Sequence, residues 1–240
     1  MDRPYIICHM LTSLDGKIAG DYLSEERAKY FTNKYEEIHE QYGIKAWICG
    51  RITMEKHFTL ENELDLDHKN APYIPRTDYV ADVEATHYAI AVDPSGKLAW
   101  THNTITDDDD REGHHIVEVL TERVSDAYLA HLRKKGVSYV FGGKDRLNFT
   151  VIMEKLKKLF SIDQVLLEGG GVINGSFLNE GLIDEISLVF VPIVDGTSNA
   201  LSLFETSVDL QKAKPVNFSL MHVEQLDDGG LWMKYIKTSQ

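Results

Sequence analysis

A single α/β domain on a mostly parallel sheet, with an antiparallel hairpin at one edge, is the fold predicted by this 240-residue sequence. Three observations carry that prediction. Short apolar runs alternate with helical patterns through the second half, which is the rhythm of βαβ units. The rhythm breaks near the end, where Val216–Glu224 and Leu231–Ile236 flank Asp227-Asp228-Gly229-Gly230 as the arms of a hairpin would. No repeat, low-complexity tract or linker-like composition divides the chain, so residues 1–240 read as one domain.

In chain order, Tyr5–Met10 is an apolar run that reads as a buried strand, followed by a turn at Asp15-Gly16. Ser24–Gln41 is helical. Tyr30, Phe31, Tyr35 and Ile38 recur on one face, and Glu25 and Glu26 sit in the first turn, where the helix dipole favours acids. Ala46–Cys49 is a short buried strand ending at Gly50. Glu61–Glu84 is charged, contains Pro72 and Pro75 and has no period, so it reads as a long surface excursion. Tyr88–Val92 is a strand closed by the turn Asp93-Pro94-Ser95-Gly96. Asp107 to Asp110 lacks the alternating ligands of a calcium loop and reads as solvated. Beyond it come strand Ile116–Leu120, helix Asp126–Lys135, strand Val137–Phe141 and helix Phe149–Phe160. Strand Gln164–Leu167, helix Val172–Asn179 and strand Ile186–Val191 complete the alternation.

Composition narrows the function. Acidic residues number 38 against 25 basic, a formal charge of −13, and such a field repels nucleic acid and anionic membranes. No run approaches the length of a membrane helix. Cys8 and Cys49 both lie in apolar runs without CxxC spacing, and the chain opens Met-Asp-Arg-Pro, unlike a signal peptide. A cytoplasmic protein with buried free thiols is expected. A small-molecule partner remains.

The strongest chemical signal is Glu168-Gly169-Gly170-Gly171-Val172-Ile173-Asn174, a buried strand running into three glycines and then a helix. Glycines allow close approach of backbone to ligand, and a helix start offers unpaired N–H groups to an anion. The motif is not the dinucleotide fingerprint, because Asn174 stands where its last glycine would be, and it is not a P-loop. Gly142-Gly143 repeats the device after another strand, with Lys144 and Arg146 beside it. Both loops are expected at the carboxyl edge of the sheet, which suits an elongated ligand bearing several phosphates. Glu168 ends its strand there and is either a pocket carboxylate for a donor-rich ring or an ordinary turn residue. His9 lies within a buried strand, a setting that by itself usually means a satisfied core histidine. The histidines show no metal-ligand spacing, and no Gly-x-Ser-x-Gly elbow is present.

Several blocks together resemble a known family. Pro4-Tyr5-Ile6-Ile7 leading to Thr12-Ser13-Leu14-Asp15-Gly16-Lys17-Ile18-Ala19 resembles the opening of the riboflavin-biosynthesis pyrimidine reductases, members of the dihydrofolate-reductase-like superfamily. Glu168-Gly169-Gly170-Gly171, Phe177-Leu178, Gly181-Leu182-Ile183-Asp184-Glu185, Pro192 and Gly196 follow that family's C-terminal signature. Cys49-Gly50-Arg51-Ile52-Thr53 resembles its Gly-x-x-Thr turn, and Asp93-Pro94-Ser95-Gly96-Lys97-Leu98 its Asp-x-x-Gly-x-Leu.

The resemblance implies a homodimeric reductase that uses NADPH. It implies that Gly169, Gly170, Gly171, Val172, Ile173 and Asn174 lie along the cofactor phosphates, with Leu11, Gly50 and Thr53 also at the cofactor. Lys144 and Arg146, beside Gly142 and Gly143, are expected to meet the 2′-phosphate and so favour NADPH over NADH. Glu168 and Asp15 would contact the pyrimidine substrate. His9 stands where members carry Lys or Asn facing the reacting ring, and an unperturbed imidazole, titrating at about 6.5, suits proton supply there. Two features depart from the pattern. Met54-Glu55-Lys56-His57-Phe58 replaces an Asp-x-Pro segment, and Gln41 falls, by ungapped count, where the family has a phosphate-binding arginine. The alternatives are a reductase of a pterin-like or other unphosphorylated ring, and a non-catalytic nucleotide-binding protein on the same fold.

Overall fold

The computed structural model describes residues 2–59, 62–106, 108–206 and 215–238. The chain begins with β1 (Tyr5–Thr12) and a 3-10 turn at Asp21–Ser24, then α1 (Glu26–Tyr42), which ends at Gly43 in the left-handed region. β2 (Ala46–Gly50) leads directly into α2 (Arg51–Met54) and a π-type turn at Glu55–Thr59. No pattern in the sequence marks this helix, because four residues are too few to show a period. β3 (Tyr88–Val92) and β4 (His115–Leu120) follow. α3 (Asp126–Lys135) is capped by Ser125 and stopped by Gly136, whose φ of 74° few other residues adopt. β5 (Ser138–Phe141) precedes α4 (Phe149–Phe160), capped by Asn148. β6 (Gln164–Leu167), α5 (Gly171–Asn179) and β7 (Glu185–Phe190) come next, then β8 (Phe218–Gln225) and β9 (Leu231–Lys237).

These residues gather into two compact units, Met1–Pro4 with Lys45–Asp163 and Tyr5–Ile44 with Gln164–Gln240. In the first, β2 to β5 are parallel, each paired with the next strand in sequence. Trp47, Met54, Ile90, Tyr128 and Tyr139 fill its interior, each worth roughly 1.5–3 kcal/mol of apolar burial. The excursion of residues 62–87 holds no helix or regular strand, as expected, yet it is pinned. Asp78 Oδ1 accepts from Phe141 N at 2.8 Å and Lys155 Nζ at 2.9 Å. Glu61 and Asp107 lie outside the described residues; Asp108 accepts from Arg111 N within a turn.

In the second unit the strand order is β6-β1-β7-β9-β8. β1 is parallel to β6 and β7, whereas β9 is antiparallel to β7 and β8. The mostly parallel sheet and the antiparallel C-terminal hairpin are therefore as predicted. Arg27 clamps the hairpin turn to α1, donating to Asp228 Oδ2 at 2.7 Å and to Asp228 O at 2.5 Å. α1 packs through Ala28, Phe31 and Ile38 against Val189 and Val191. Cys8 and Cys49 are buried and outside any disulfide, and burial pushes the Cys8 thiol up, consistent with inert core thiols.

Candidate active site

The polar residues of the second unit fall into one row because of strand register. Cys8 pairs with Leu167 and His9 with Ser187, so Glu168, the residue after β6, comes level with His9. Glu168, His9 and Ser187 thus lie across β6, β1 and β7, and the Tyr35–Tyr42 end of α1 meets all three.

The contacts settle the protonation of His9. Its Nε2 lies 3.0 Å from the Tyr35 carbonyl, which can only accept, so Nε2 carries the proton. Nδ1 accepts from Ser187 Oγ at 3.1 Å, and Ser187 accepts in turn from Trp232 Nε1 at 2.9 Å. The ring stacks on Tyr35 with centroids 4.3 Å apart. Burial lowers the His9 pKa to about 4, and the nearby Glu168 only partly offsets this. This corrects the expectation of an ordinary imidazole ready to supply a proton. His9 is neutral at pH 7, with both ring nitrogens engaged inside the protein.

Glu168 is buried, and its Oε1 lies 2.5 Å from Nδ1 of His39. Sequence reading missed His39. It shares the inward face of α1 with Phe31, Tyr35 and Ile38, and a polar residue on that face was the available signal.

The glycine run serves two ends. At Gly171 a Cβ would meet Ser202 O at 2.3 Å, and at Gly175 it would meet Glu205 O at 1.8 Å, so segment 202–205 packs against bare backbone of α5. Glu205 N donates to Gly171 O and Asn174 Nδ2 to Leu203 O, which commits Asn174 to the same packing. Gly169 needs its φ of 94°. Gly170 alone faces open space, where the nearest atom to its Cβ would be Ile18 Cδ1 at 4.0 Å. Gly170 caps α5 without a side-chain partner, the first turn holds no acid, and Val172 is exposed while Ile173 is buried. An uncapped helix start with an open glycine fits a phosphate. The Gly169–Gly170 peptide is cis.

The other expected residues vary. Asp15 is exposed, and its carboxylate accepts from Ser13 Oγ at 2.6 Å, Asp195 N at 3.0 Å and Gly196 N at 3.1 Å. It therefore ties two loops together. Leu11 packs against the α1 core. In the first unit, Gly50 ends β2 and caps α2, which carries a half-buried Thr53. Gly142 and Gly143 follow β5 in a tight loop, where a Cβ at Gly143 would meet Arg146 O at 2.2 Å, and Lys144 and Arg146 are exposed. Among the described residues no three His, Cys, Asp or Glu side chains could hold a metal ion, and no helix is long and apolar enough to cross a membrane.

The sequence matches the RibD C-terminal domain family over residues 4–231. The chain belongs to that family. It is 25% identical over 203 residues to the 2,5-diamino-6-ribosylamino-4(3H)-pyrimidinone 5′-phosphate reductase of Methanothermobacter thermautotrophicus, covering 85% of this chain and 84% of that one. The reductase of the same name from Aquifex aeolicus is 24% identical, with 85% and 83% covered. Among solved structures, Acinetobacter baumannii RibD superposes with a TM-score of 0.66 at 22% identity over 99% of this chain. The chain spans 59% of that RibD chain. A pyrimidine reductase-like protein from Corynebacterium diphtheriae gives a TM-score of 0.69 at 14% identity, with 99% and 93% covered. These likenesses bear out the RibD-type, dihydrofolate-reductase-like fold. Reductase relatives along nearly the whole chain make this RibD C-terminal domain an oxidoreductase.

Proposed function

We propose that the protein is an NADPH-dependent reductase of a small heterocycle, and that the substrate is the pyrimidinone ribosylamine phosphate named for its curated relatives. The family match runs from residue 4 to 231, so we take both units as parts of one reductase domain. The observation that carries the reading is the Glu168–Gly171 turn, which places a buried carboxylate beside an uncapped helix start with an open glycine. When bound, NADPH supplies a hydride. Gly169 to Asn174, with Leu11, Gly50 and Thr53, would hold that cofactor, and Gly142, Gly143, Lys144 and Arg146 would select its 2′-phosphate. Glu168 would accept N–H groups of the ring and fix the face it offers. Neutral His9 would hold the Tyr35 end of α1 in place. Asp15 would act near the substrate through the loops it ties.

The test is fluorescence titration with NADPH and NADH, followed by NADPH oxidation with the phosphorylated pyrimidinone. Tighter binding of NADPH and turnover of that substrate are expected. Equal weak binding of the two cofactors would remove the cofactor reading. Turnover of a pterin but not the pyrimidinone would replace the substrate, a result consistent with the exposed Gln41 in place of an arginine.

A homodimer in the cytoplasm completes the proposal. β8 ends its sheet, and Leu220, Met221 and Val223 are each more than half exposed along it, an apolar edge better covered than left open. Light scattering should report about twice the chain mass of 27.2 kDa; a monomer at micromolar concentration would remove the claim.

A further inference from the structure

Glu168 and His39 are 129 positions apart in sequence, yet their side chains meet at 2.5 Å with almost no exposure, 4% and 7%. A bare carboxylate in such a place would pay a desolvation penalty of several kcal/mol. One proton lies between Oε1 and Nδ1 whichever atom holds it, since neither a carboxylate facing a bare nitrogen nor two donors facing each other would be stable there. The pair is therefore a unit with a proton inside it, at the end of the strand that runs into the glycine turn.

The surroundings restrict where else a charge could settle. From β1, His9 is neutral and has both ring nitrogens engaged. From β7, Ser187 is committed to His9 and Trp232, and the Glu185 carboxylate is held by Tyr42 Oη at 2.9 Å and Lys234 Nζ at 3.2 Å. From α1 itself, Tyr35 stacks on His9, and burial pushes the Tyr42 hydroxyl still further up from its ordinary alkaline value. Among these groups it is the His39 imidazole that meets the Glu168 carboxyl group at hydrogen-bond distance.

We propose that His39 is a positioning residue for the reaction, holding the Glu168 carboxyl group in one orientation and exchanging a proton with it as the ring is reduced. The proposal rests on the reductase reading, in which Glu168 faces the ring. Reduction of a C=N or C=O bond needs one proton at the heteroatom. That proton is the one the Glu168–His39 pair shares: it leaves through the Glu168 carboxyl group, and the pair is left one proton poorer, as a carboxylate beside a neutral imidazole. Water returns one proton to the pair between turnovers. Oε1 stays on α1 throughout, so the carboxyl group does not rotate away from the ring.

Two measurements test this. The first needs no turnover: the His39 imidazole is followed by NMR across pH in the wild type and in Glu168→Gln. Removing the carboxylate should lower the His39 midpoint by at least about one pH unit, a tenfold change in its proton affinity. An unmoved midpoint would overturn the pairing. The second compares the wild type with His39→Gln, which keeps an N–H donor but cannot titrate, and with His39→Phe, which keeps neither. His39→Gln should retain NADPH affinity, lose roughly tenfold in kcat and lose one limb of the kcat–pH profile. His39→Phe should lose more and show a raised KM for the ring. If His39→Gln turns over with an unchanged pH profile, His39 is structural only and the proposal fails while the reductase reading stands. If the wild type oxidises NADPH with no ring at all, the reductase reading fails and takes this proposal with it, whatever the NMR midpoint does.

Discussion

Each unit buries a glutamate, and the two solve the same electrostatic problem with different partners. In the second unit, Glu168 meets the imidazole of His39. In the first, Glu118 on β4 is fully buried, and its Oε1 accepts from Trp100 Nε1 at 2.5 Å and Tyr128 Oη at 2.6 Å. Its Oε2 has no partner among the described residues, and neither has Oδ1 of Asp93, a second buried carboxylate. Register puts these two on one face of the sheet: Ala91 pairs with Glu118, and Asp93 lies two positions beyond Ala91. Burial first, and then the Asp93 charge, pushes the Glu118 pKa well up, which favours its protonated form. The first unit thus favours a proton on its glutamate by burial and a neighbouring charge, whereas the second sets an imidazole against its glutamate. On the proposed reading, the same residue type is architecture in one unit and chemistry in the other.

The largest effect expected from this contrast is at Glu118. Glu118→Ala strands the Trp100 and Tyr128 donors and opens a void, and should cost about 3–5 kcal/mol in chemical unfolding. Glu118→Gln should cost little at pH 7, because the amide keeps an acceptor and adds a donor. The sign of the pH effect follows from the raised pKa. The folded protein binds a proton that the unfolded chain has lost, so this contribution is complete below about pH 4 and fades as pH rises toward the folded pKa. Glu118→Gln should therefore flatten an alkaline loss of stability. A wild type with no such loss would break the contrast.

His9 acts in the other direction. Its folded pKa is about 4, against an ordinary value of 6.5. The unfolded chain takes up a proton first, so stability is full above about pH 6.5 and falls between there and pH 4. The fall amounts to about 3 kcal/mol. Urea midpoints measured across that window should drop in the wild type and less in His9→Gln. An acid limb of equal size in both would show that other groups cause it.

Glu168→Gln is the sharpest comparison with Glu118→Gln, being the same substitution in the other unit. It should lower turnover about a hundredfold, with NADPH affinity held within about threefold and little change in unfolding midpoint. Loss of stability without loss of turnover would make Glu168 a second architectural glutamate.

Sequence legibility tracks how local the cause is. α3, α4 and β6 were readable to the residue because their stops are local: Ser125 and Gly136, Asn148, and the glycines after Leu167. The glycine run and Glu168 were readable for the same reason. His39 and the Asp93–Glu118 pair were not, because each owes its meaning to a partner on another element. Glu118 interrupts an apolar run, and Asp93 looks like any turn aspartate holding Lys97 N and Leu98 N. His9 was readable as buried, but its proton position came only from the Tyr35 carbonyl and Ser187, which the fold supplies. The sequence assigns Gly171 to a ligand alone, because nothing in it shows that segment 202–205 returns to lie on that residue.

An exposed carboxylate provides the control for both buried ones, and the smallest effect. Asp15 accepts three hydrogen bonds, from Ser13, Asp195 and Gly196, and these hold its pKa down at about 2. Its contribution is present above the unfolded value near 4 and is lost only as pH falls toward 2, so nothing should change across the neutral range. Solvent screens such a group, and Asp15→Asn should leave the unfolding midpoint at pH 7 almost where it was. The kinetic result separates the two roles open to this residue. If Asp15 acts only by joining the Ser13 and Asp195 loops, Asp15→Asn keeps the KM for the ring within about twofold, because the amide oxygen still accepts from backbone N–H groups. If Asp15 touches the substrate, the substitution removes a charge-assisted hydrogen bond, and KM rises roughly tenfold with stability untouched. The three carboxylates would then rank by what surrounds them: one whose protonated form burial favours, one paired with an imidazole, and one that hydrogen bonds keep charged.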